Sequence, residues 1–312
     1  MSAQPVLSVL ITAGDIPARA AKCLDAVFSQ EGAEHCEVIL ADVSAQSRAD
    51  FYLRWPGLKY LHVPDAPYMA ESRVACLEAS SAPLVAFLED HTVPEPGWLN
   101  EILAVFERQQ KVAVINYGIR NSDPSKYVTR CYHLIDYGPW ADPAIEGPIE
   151  YACHHNLAYR RHLLVEELRG DAGLLEAEYL VHRRLMSKGW TLWLAASAII
   201  RHETWQNAED GIEANGSMKR LIAHLRAGSE GWQQPRRWAY AFGMVLCPPL
   251  LVWRIARTII PRPGLWGEFL YCLPLIAYAY CRIAVNEAFG YVAGPGDSKA
   301  RFAHLEYGVE RR

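Results

Sequence analysis

The sequence lacks the features that mark secreted, disulfide-rich or multi-spanning membrane proteins. Its eight cysteines are scattered and none forms a Cys-x-x-Cys pair, so we expect small apolar core residues in a reducing compartment. No basic region followed by an apolar stretch stands at the amino terminus, so no signal peptide is predicted. The two charge-free apolar runs of the carboxyl-terminal region are both shorter than the roughly 20 residues that a spanning helix needs.

The chain also has little net charge, −4 over 312 residues, but this charge is unevenly distributed. Residues 236–312 hold 10 basic and 5 acidic side chains, whereas residues 1–235 hold 21 and 30. A basic, aromatic-rich end behind an acidic globular part favours an anionic lipid surface over a nucleic acid as partner. The alternative is a basic surface on an ordinary helical subdomain. With half of its residues apolar, the chain can build one large or two small domains.

A short apolar run at residues 84–88 is long enough for one buried strand and ends on Glu89, Asp90 and His91. Proline and glycine in residues 92–97 then stop the strand, and a helical pattern starts at Trp98. In open α/β sheets ligands bind at the carboxyl ends of the strands. Two carboxylates with an imidazole suit Mg²⁺ or Mn²⁺ there. The alternative is a polar turn with solvated acids.

The first 65 residues predict a parallel sheet. Residues 6–11 form an apolar strand, residues 18–30 have a helical pattern, and residues 37–41 form a second strand that ends on Asp42. A strand, a helix and a strand with short links are typical of a βαβ unit, whose right-handed crossover makes the two strands parallel. A third strand is predicted at residues 59–63.

The segment Phe-Leu-Glu-Asp-His-Thr-Val-Pro-Glu-Pro-Gly-Trp-Leu, residues 87–99, resembles the metal-site segment of family 2 glycosyltransferases, which reads Phe-Leu-Asp-Asp-Asp before a proline-rich turn and Gly-Trp-Leu. The resemblance implies an α/β GT-A fold, Rossmann-like, with a mostly parallel sheet, flanking helices and added carboxyl-terminal apolar helices. It also implies Mn²⁺ or Mg²⁺ on the diphosphate of a nucleotide sugar. Glu89 and Asp90 then belong to the donor site, with Asp90 and His91 as metal ligands.

Two other segments are similar to the donor-binding parts of the family. Thr12 stands at the end of the first strand and Asp42 at the end of the second, where the family binds the nucleotide and its base. Arg73 matches an arginine that approaches the nucleotide. The alternatives are a turn or helix-cap role for Asp42 and a solvated helix position for Arg73.

Residues 151–161 resemble the strand beneath the transferred sugar, Gly-x-Asn-x-Ala-x-Arg-Arg, so His155 and Asn156 are expected to contact the sugar or the acceptor. Residues 176–190 resemble Glu-Asp-x-x-Leu-x-x-Arg-Leu-x-x-x-Gly-Trp, and Trp190 is expected to contact the same groups. Counting back from Trp190 places the family's catalytic base on Glu178, with Glu176 as the alternative base. Both acids could instead only complement the helix dipole.

His202 follows the next strand, where the resemblance implies that a histidine completes the metal shell. Residues 117–150, rich in glycine, proline and tyrosine, are expected to be irregular and to cover the acceptor side.

Residues 238–253 and 269–281 carry no charge and are bordered by arginines and tryptophans. We expect helices that lie in or dip into the cytoplasmic leaflet; a tilted hairpin and a soluble helical pair are the alternatives. The predicted domains are a catalytic domain at residues 1–230 and a membrane-associated region at residues 231–312. The predicted location is the cytoplasmic face of the inner membrane.

The resemblance implies an inverting, metal-dependent glycosyltransferase that moves a sugar from a nucleoside-diphosphate sugar to a sugar or lipid-linked acceptor, in cell-surface polysaccharide or glycolipid synthesis. No nucleic-acid partner is expected. Two other functions stay open. One is a scaffold protein on a catalytically decayed GT-A fold, favoured by Val43 and His91 where the family has acids. The other is a sugar nucleotidyltransferase, although no glycine-rich phosphate loop follows the first strand.

Overall fold

The computed structural model describes residues 4–65, 69–169 and 171–308, with nine strands in one sheet. The strands follow the order β3-β2-β1-β4-β8-β6-β9-β5, and β7 pairs with β9 outside this path. Their bounds are β1 Leu7–Ala13, β2 Cys36–Asp42, β3 Leu58–His62, β4 Leu84–Glu89, β5 Thr92–Pro94, β6 Val112–Asn121, β7 Gly147–Ile149, β8 Leu157–Arg160 and β9 Thr191–His202.

The sheet has a parallel part and an antiparallel part. Strands β3, β2, β1 and β4 pair in parallel, and all seven residues of β1 are buried because helices cover such a sheet on both faces. Strands β8, β6, β9, β5 and β7 take part in antiparallel pairs. The predicted α/β fold with flanking helices and added carboxyl-terminal helices is confirmed.

The part of the chain that the structure describes also forms twelve α-helices. Helix α1 begins at Pro17, whose missing N–H and fixed φ suit the first helical position. Their bounds are α1 Pro17–Phe28, α2 Ala49–Tyr52, α3 Met69–Ala79, α4 Trp98–Arg108, α5 Tyr127–Tyr137, α6 Arg161–Glu167, α7 Glu178–Ser187, α8 Ala208–Ser229, α9 Gln234–Gly243, α10 Cys247–Ile259, α11 Trp266–Ala293 and α12 Ser298–Tyr307.

The contacts divide the chain into two compact units. Unit 1 contains the described residues up to Arg120, then Asp142–His202 and Tyr307 with Gly308; unit 2 contains residues 121–141 and 203–306. Unit 1 therefore holds the whole sheet except the last residue of β6. These units are defined by contacts alone, so the division into a catalytic domain at residues 1–230 and a membrane-associated region stays a prediction.

The prediction of an irregular segment at residues 117–150 is wrong in part. Strand β6 continues to Asn121, and Tyr127–Tyr137 form helix α5. Aromatic and β-branched residues give this segment little intrinsic helix propensity, so its sequence shows no clear helical signal. The helix is stabilised by packing within unit 2, where Tyr132 is fully buried against Gly211, a position with no room for a side chain.

The apolar runs of the carboxyl-terminal region are helical, and the helices are longer than the runs. Two continuous helical stretches meet the length and composition of membrane spans. Gln234–Ile259, in which Met244–Leu246 join α9 to α10, is 26 residues long, and Pro263–Ala293, which contains α11, is 31 residues long. In the most apolar 18 residues of each stretch, only 6% and 33% of the residues are buried, so the first stretch is not the core helix of a soluble protein.

Candidate active site

The carboxyl ends of the parallel strands bring several predicted site residues to one edge of the sheet. Thr12 pairs with Glu89 across β1 and β4, and Ala13 pairs with Asp42 across β1 and β2. The hydroxyl of Thr12 lies 3.2 Å from that of Ser72 on α3. Since this edge is where open α/β sheets bind ligands, the strand register gathers the predicted donor residues where a ligand would bind.

Glu89, His91 and His202 form a cluster of three candidate metal ligands, here called the triad, whose ligand atoms all lie within 4.8 Å of one another. The Nε2 atoms of His91 and His202 are 3.1 Å apart, and His202 Nε2 is 3.1 Å from Glu89 Oε2. Strand β5 pairs with β9 so that Thr92 lies opposite His202, which brings this histidine to Glu89 and His91. All three side chains are buried.

Asp90 contacts the triad from beside it. Its Oδ1 lies 3.2 Å from His91 Nδ1, and its Oδ2 accepts a hydrogen bond of 3.3 Å from the amide of Gly14. A carboxylate that accepts the Nδ1 proton of a histidine leaves the Nε2 lone pair for a metal and fixes the ring. The sequence predicts Asp90, His91 and His202 as ligands, whereas the assembled cluster contains Glu89 in the place of Asp90. A ligand role for Asp90 stays a prediction.

The donor atoms of the triad fit a divalent cation. Burial, and then the charge of Arg19, lower the pKa of His91 well below its usual value, so this imidazole stays neutral and can ligate. Burial raises the pKa of Glu89 to about 7, against the hydrogen bond from Asn156. A cation bound nearby would favour the ionised state of such a carboxylate, because it stabilises the charged form.

Asn156 fixes Glu89 at two atoms. Its Nδ2 donates to Glu89 Oε2, and its Oδ1 accepts a hydrogen bond of 3.1 Å from the amide of Glu89. Both side chains are buried. The sequence predicts that Asn156 contacts the sugar or the acceptor; the structure places its side chain on the triad carboxylate instead, and a contact with substrate stays a prediction.

Glu178 is fully buried at the start of α7 and accepts three hydrogen bonds. The donors are Arg73 Nη2 at 2.7 Å, Tyr159 Oη at 2.9 Å and the amide of His155 at 2.7 Å. Burial alone would raise the pKa of Glu178, but the guanidinium of Arg73 and then His155 hold it well below its usual range. Glu178 is therefore an ionised carboxylate with little tendency to take up a proton.

Arg73 and Asp42, both predicted to bind the nucleotide, are buried in hydrogen-bonding networks. The guanidinium carbon of Arg73 lies 4.1 Å from the centroid of the Phe87 ring, and its Nη2 makes the ion pair with Glu178. Asp42 Oδ1 accepts the amide of Ser44 at 3.0 Å, and its Oδ2 accepts the hydroxyl of Tyr60 at 2.6 Å. The contact with Ser44 is the turn role that the sequence left open for Asp42. Nucleotide binding by either residue stays a prediction.

Comparison with known families decides the assignment. The sequence profile described as "Glycosyl transferase family 2" matches residues 8–167, just over half of the chain. The chain belongs to glycosyl transferase family 2. Members of this family are inverting enzymes that use nucleotide sugars, and the family predicted from the sequence is confirmed. No curated protein matches the chain.

Solved structures resemble this glycosyltransferase in fold. The mannosyltransferase PcManGT of Pyrobaculum calidifontis, solved with GDP-Man and Mn²⁺, has a TM-score of 0.58 at 13% identity, over 92% of this chain and 88% of that chain. TarS 1–349 of S. aureus, solved with UDP-GlcNAc, has a TM-score of 0.48 at 11% identity, over 98% and 93%. GalNAc-T7, solved with UDP, GalNAc and Mn²⁺, has a TM-score of 0.49 at 13% identity, over 64% of this chain and only 43% of its own.

Two further predicted site residues of the glycosyltransferase, Glu176 and Trp190, make none of the hydrogen bonds described above for the triad. Glu176 Oε1 accepts a hydrogen bond of 3.1 Å from the amide of Ala70, at the start of α3. Trp190 precedes β9, whose last residue is His202, so a strand on the order of 35 Å long separates it from the triad. The structure does not bring Trp190 to the triad, and its contact with the sugar or acceptor stays a prediction.

Sequence reasoning missed the contacts that two tyrosines of this glycosyltransferase make at or next to predicted site residues. Tyr159 Oη donates to Glu178 and lies 2.9 Å from His182 Nε2, although its place on a buried strand gave only a packing signal. The carbonyl of Tyr307, near the carboxyl terminus, accepts the amide of Asp15 at 2.7 Å. A side chain at Gly14 would lie 2.1 Å from that carbonyl oxygen, so this position requires glycine. No local signal links Tyr307 to the first strand.

Proposed function

We propose that this glycosyltransferase moves a sugar from a nucleoside-diphosphate sugar to an acceptor hydroxyl, with inversion and with a divalent cation at the triad. The observation that carries the proposal is the convergence of Glu89, His91 and His202 at the carboxyl end of β4. Glu89 and His91 lie within residues 8–167, the part of the chain that matches the family. PcManGT, whose fold is similar, was solved with a nucleotide sugar and Mn²⁺, which supports the same donor class and cation here.

The ligand set favours Mn²⁺ over Mg²⁺. Mg²⁺ prefers oxygen ligands in a strict octahedron, whereas two of the three triad atoms are imidazole nitrogens. When bound, the cation would neutralise the diphosphate leaving group as the glycosidic bond breaks. The chain's own part is to keep both imidazoles oriented. Asp90 does this for His91 through Nδ1, at 3.2 Å.

Thr12, Asp42, Arg73, Glu89 and Asp90 stay the proposed donor residues. Thr12 and Asp90 are supported by their place at the strand edge, because Thr12 pairs with Glu89 and Asp90 accepts the Gly14 amide. The side chains of Asp42 and Arg73 are both buried in hydrogen-bonding networks, so they would act indirectly. Asp42 would hold the loop that follows β2, and Arg73 would hold the carboxylate of Glu178.

The geometry favours Glu176 over Glu178 as the general base. The Glu178 carboxylate already accepts three hydrogen bonds, one from a guanidinium, and its pKa lies well below its usual range. A carboxylate whose pKa lies far below the working pH deprotonates an acceptor hydroxyl poorly. Glu176, the alternative base of the sequence pattern, accepts the amide of Ala70 through Oε1 at 3.1 Å.

Nucleotide binding should depend on Mn²⁺. Because a ligand that binds only the folded state raises its stability, by about 2.7 kcal/mol at 100 times Kd, a nucleoside diphosphate should raise the melting temperature clearly with Mn²⁺, less with Mg²⁺ and least with EDTA. A thermal-shift screen of GDP, UDP, CDP and ADP measures this. The exposed residue His35 supplies a matched control, and His35→Ala should respond like the wild type. Equal shifts with Mn²⁺ and with EDTA would contradict metal-dependent donor binding.

We also propose that unit 2 binds a membrane surface, which places the enzyme at the cytoplasmic face of the inner membrane and suits a lipid-linked acceptor in polysaccharide or glycolipid synthesis. Thirteen of the 17 exposed large hydrophobic side chains of the described residues fall within residues 238–289. Trp238, Trp253 and Trp266 are half exposed at the margins of the apolar helices. Membrane interfaces favour such tryptophans, and arginines beside them favour anionic lipid.

Full-length protein should bind anionic liposomes, and high salt should weaken binding without abolishing it, because apolar insertion remains. Phe242→Asp removes a side chain that is 71% exposed on α9. Losing the insertion of one such side chain costs about 1.5–3 kcal/mol, so binding should weaken roughly tenfold or more in a sedimentation assay. Leu53→Asp, at a unit 1 residue 75% exposed, is the matched control and should bind like the wild type. Wild-type protein that ignores liposomes at low salt would refute this.

A further inference from the structure

The backbone at His154–Asn156 has an unusual conformation next to the triad. His155 has a φ of +73°, and among the residues that the structure describes it is the one non-glycine residue with positive φ. The amide of Asn156 donates to the carbonyl of His154 at 2.9 Å, which closes a three-residue γ-turn around His155. A γ-turn with positive φ at its centre is rare and strained for a residue with a Cβ atom. Surrounding contacts must therefore hold it.

Glu178 supplies such a contact. Its Oε2 accepts the amide of His155, the central residue of the turn, at 2.7 Å. Arg73 and Tyr159 both donate to Oε1, so the carboxylate itself is held in place from the opposite side. Glu178 is fully buried, which makes a hydrogen bond to an ionised acceptor strong.

The γ-turn at His154–Asn156 also positions the triad. Asn156 is its last residue, and its side chain holds Glu89 at both the amide and Oε2. The same Oε2 atom lies 3.1 Å from His202 Nε2. The chain of contacts from Glu178 to the triad therefore runs through the amide of His155 and the side chain of Asn156 to the carboxylate of Glu89.

We propose that Glu178 is a positioning residue for the metal site: it holds His155 in the left-handed conformation and so keeps Asn156 and Glu89 in place. This rests on the proposed metal-dependent function. It assigns to Glu178 a role other than the general base that the sequence pattern predicts. Residues that orient metal ligands affect metal affinity, whereas a general base affects the chemical step and leaves metal affinity unchanged.

Mn²⁺ affinity is the readout that separates these roles, measured by calorimetry or by electron paramagnetic resonance of free Mn²⁺. Glutamine has a single acceptor oxygen, which Arg73 and Tyr159 both require, so its NH2 group faces the His155 amide and that hydrogen bond is lost. Loss of partners that orient metal ligands typically costs 10–100-fold in affinity, so Glu178→Gln should bind Mn²⁺ about tenfold more weakly. Wild-type affinity in this variant would overturn the proposal. A wild type that binds no Mn²⁺ would overturn the proposed metal dependence as well, so the two failures are distinguishable.

The left-handed turn offers a matched pair of rescue variants. His155→Gly and His155→Ala both remove the imidazole, but only glycine adopts positive φ without steric cost. In the Glu178→Gln background, glycine should recover most of the lost affinity and alanine should not. In the presence of Glu178 the two substitutions should differ little. Equal affinities of the glycine and alanine variants in the Glu178→Gln background would refute the proposed route through the turn.

Glu178→Gln leaves the buried guanidinium of Arg73 facing a neutral amide, which can destabilise the fold. The comparison is therefore repeated with Arg73→Met and Glu178→Met together, a background that removes both charges and leaves no side-chain acceptor at position 178 for the His155 amide. Thermal unfolding confirms that each variant is folded at the assay temperature. The same order, glycine above alanine, is expected in this background, and the reverse order or no difference would overturn the proposal.

Discussion

Replacing His202 by alanine is expected to lower turnover about 10³-fold, because a cation at the leaving group supplies several kcal/mol of transition-state stabilisation. His202 Nε2 lies 3.1 Å from both His91 Nε2 and Glu89 Oε2, so the substitution would remove one of the three proposed ligands. His91→Ala should have a similar effect. Initial rates of nucleotide-sugar turnover, taken as a function of Mn²⁺ concentration, measure the change.

The dependence on Mn²⁺ distinguishes a lost ligand from a damaged fold. Turnover of His202→Ala should recover in part at high Mn²⁺ if two ligands remain, and its thermal unfolding without metal should stay close to that of the wild type. His224, on α8 in unit 2, is a matched control, and His224→Ala should keep the wild-type metal dependence. Full turnover of both His202→Ala and His91→Ala at low Mn²⁺ would exclude the triad as the metal site.

The second large effect is expected at Glu176. Glutamine keeps the size of the side chain and its bond from Ala70 but cannot take a proton. General-base assistance typically contributes about 10²–10⁴-fold, so kcat of Glu176→Gln should fall by that factor. Donor affinity and Mn²⁺ affinity should stay near wild type, because the donor and the cation are held elsewhere. Single-turnover rates with saturating donor measure the chemical step directly.

Glu178→Gln is the matched control for the base, since it makes the same chemical change two residues further along. It should lose Mn²⁺ affinity, and additional Mn²⁺ should restore much of its rate. If Glu178→Gln keeps wild-type metal affinity and still loses turnover, while Glu176→Gln turns over normally, the base is Glu178, as the sequence pattern predicts.

Local patterns were sufficient to predict the strands that carry the site. The runs at residues 6–11, 37–41 and 84–88 each became a strand of the parallel part, and these strands end at Ala13, Asp42 and Glu89. A buried parallel strand needs a continuous apolar run, and this signal lies entirely within a few residues. Helix α5 had no such signal, because it depends on partners in unit 2 that are more than 70 residues away.

The sequence places Glu89, Asp90 and His91 together but does not show which of them meet His202. Asp90 and His91 form the turn between β4 and β5. This turn leaves Glu89 and His91 beside His202, while Asp90 Oδ2 accepts the Gly14 amide.

The sequence by itself determined the family and the α/β fold, because strand runs and short motifs encode these locally, and it predicts the carboxyl edge of the sheet as the place of the chemistry. Only the tertiary structure decided which donor atoms meet. His202 reaches His91, 111 residues earlier, through the pairing of β5 with β9. Glu178 reaches Arg73, 105 residues earlier, through burial that a helix-start motif does not reveal. Hydrogen bonds and ligand sets depend on angstrom-scale distances between remote segments, and only the packed chain sets those distances.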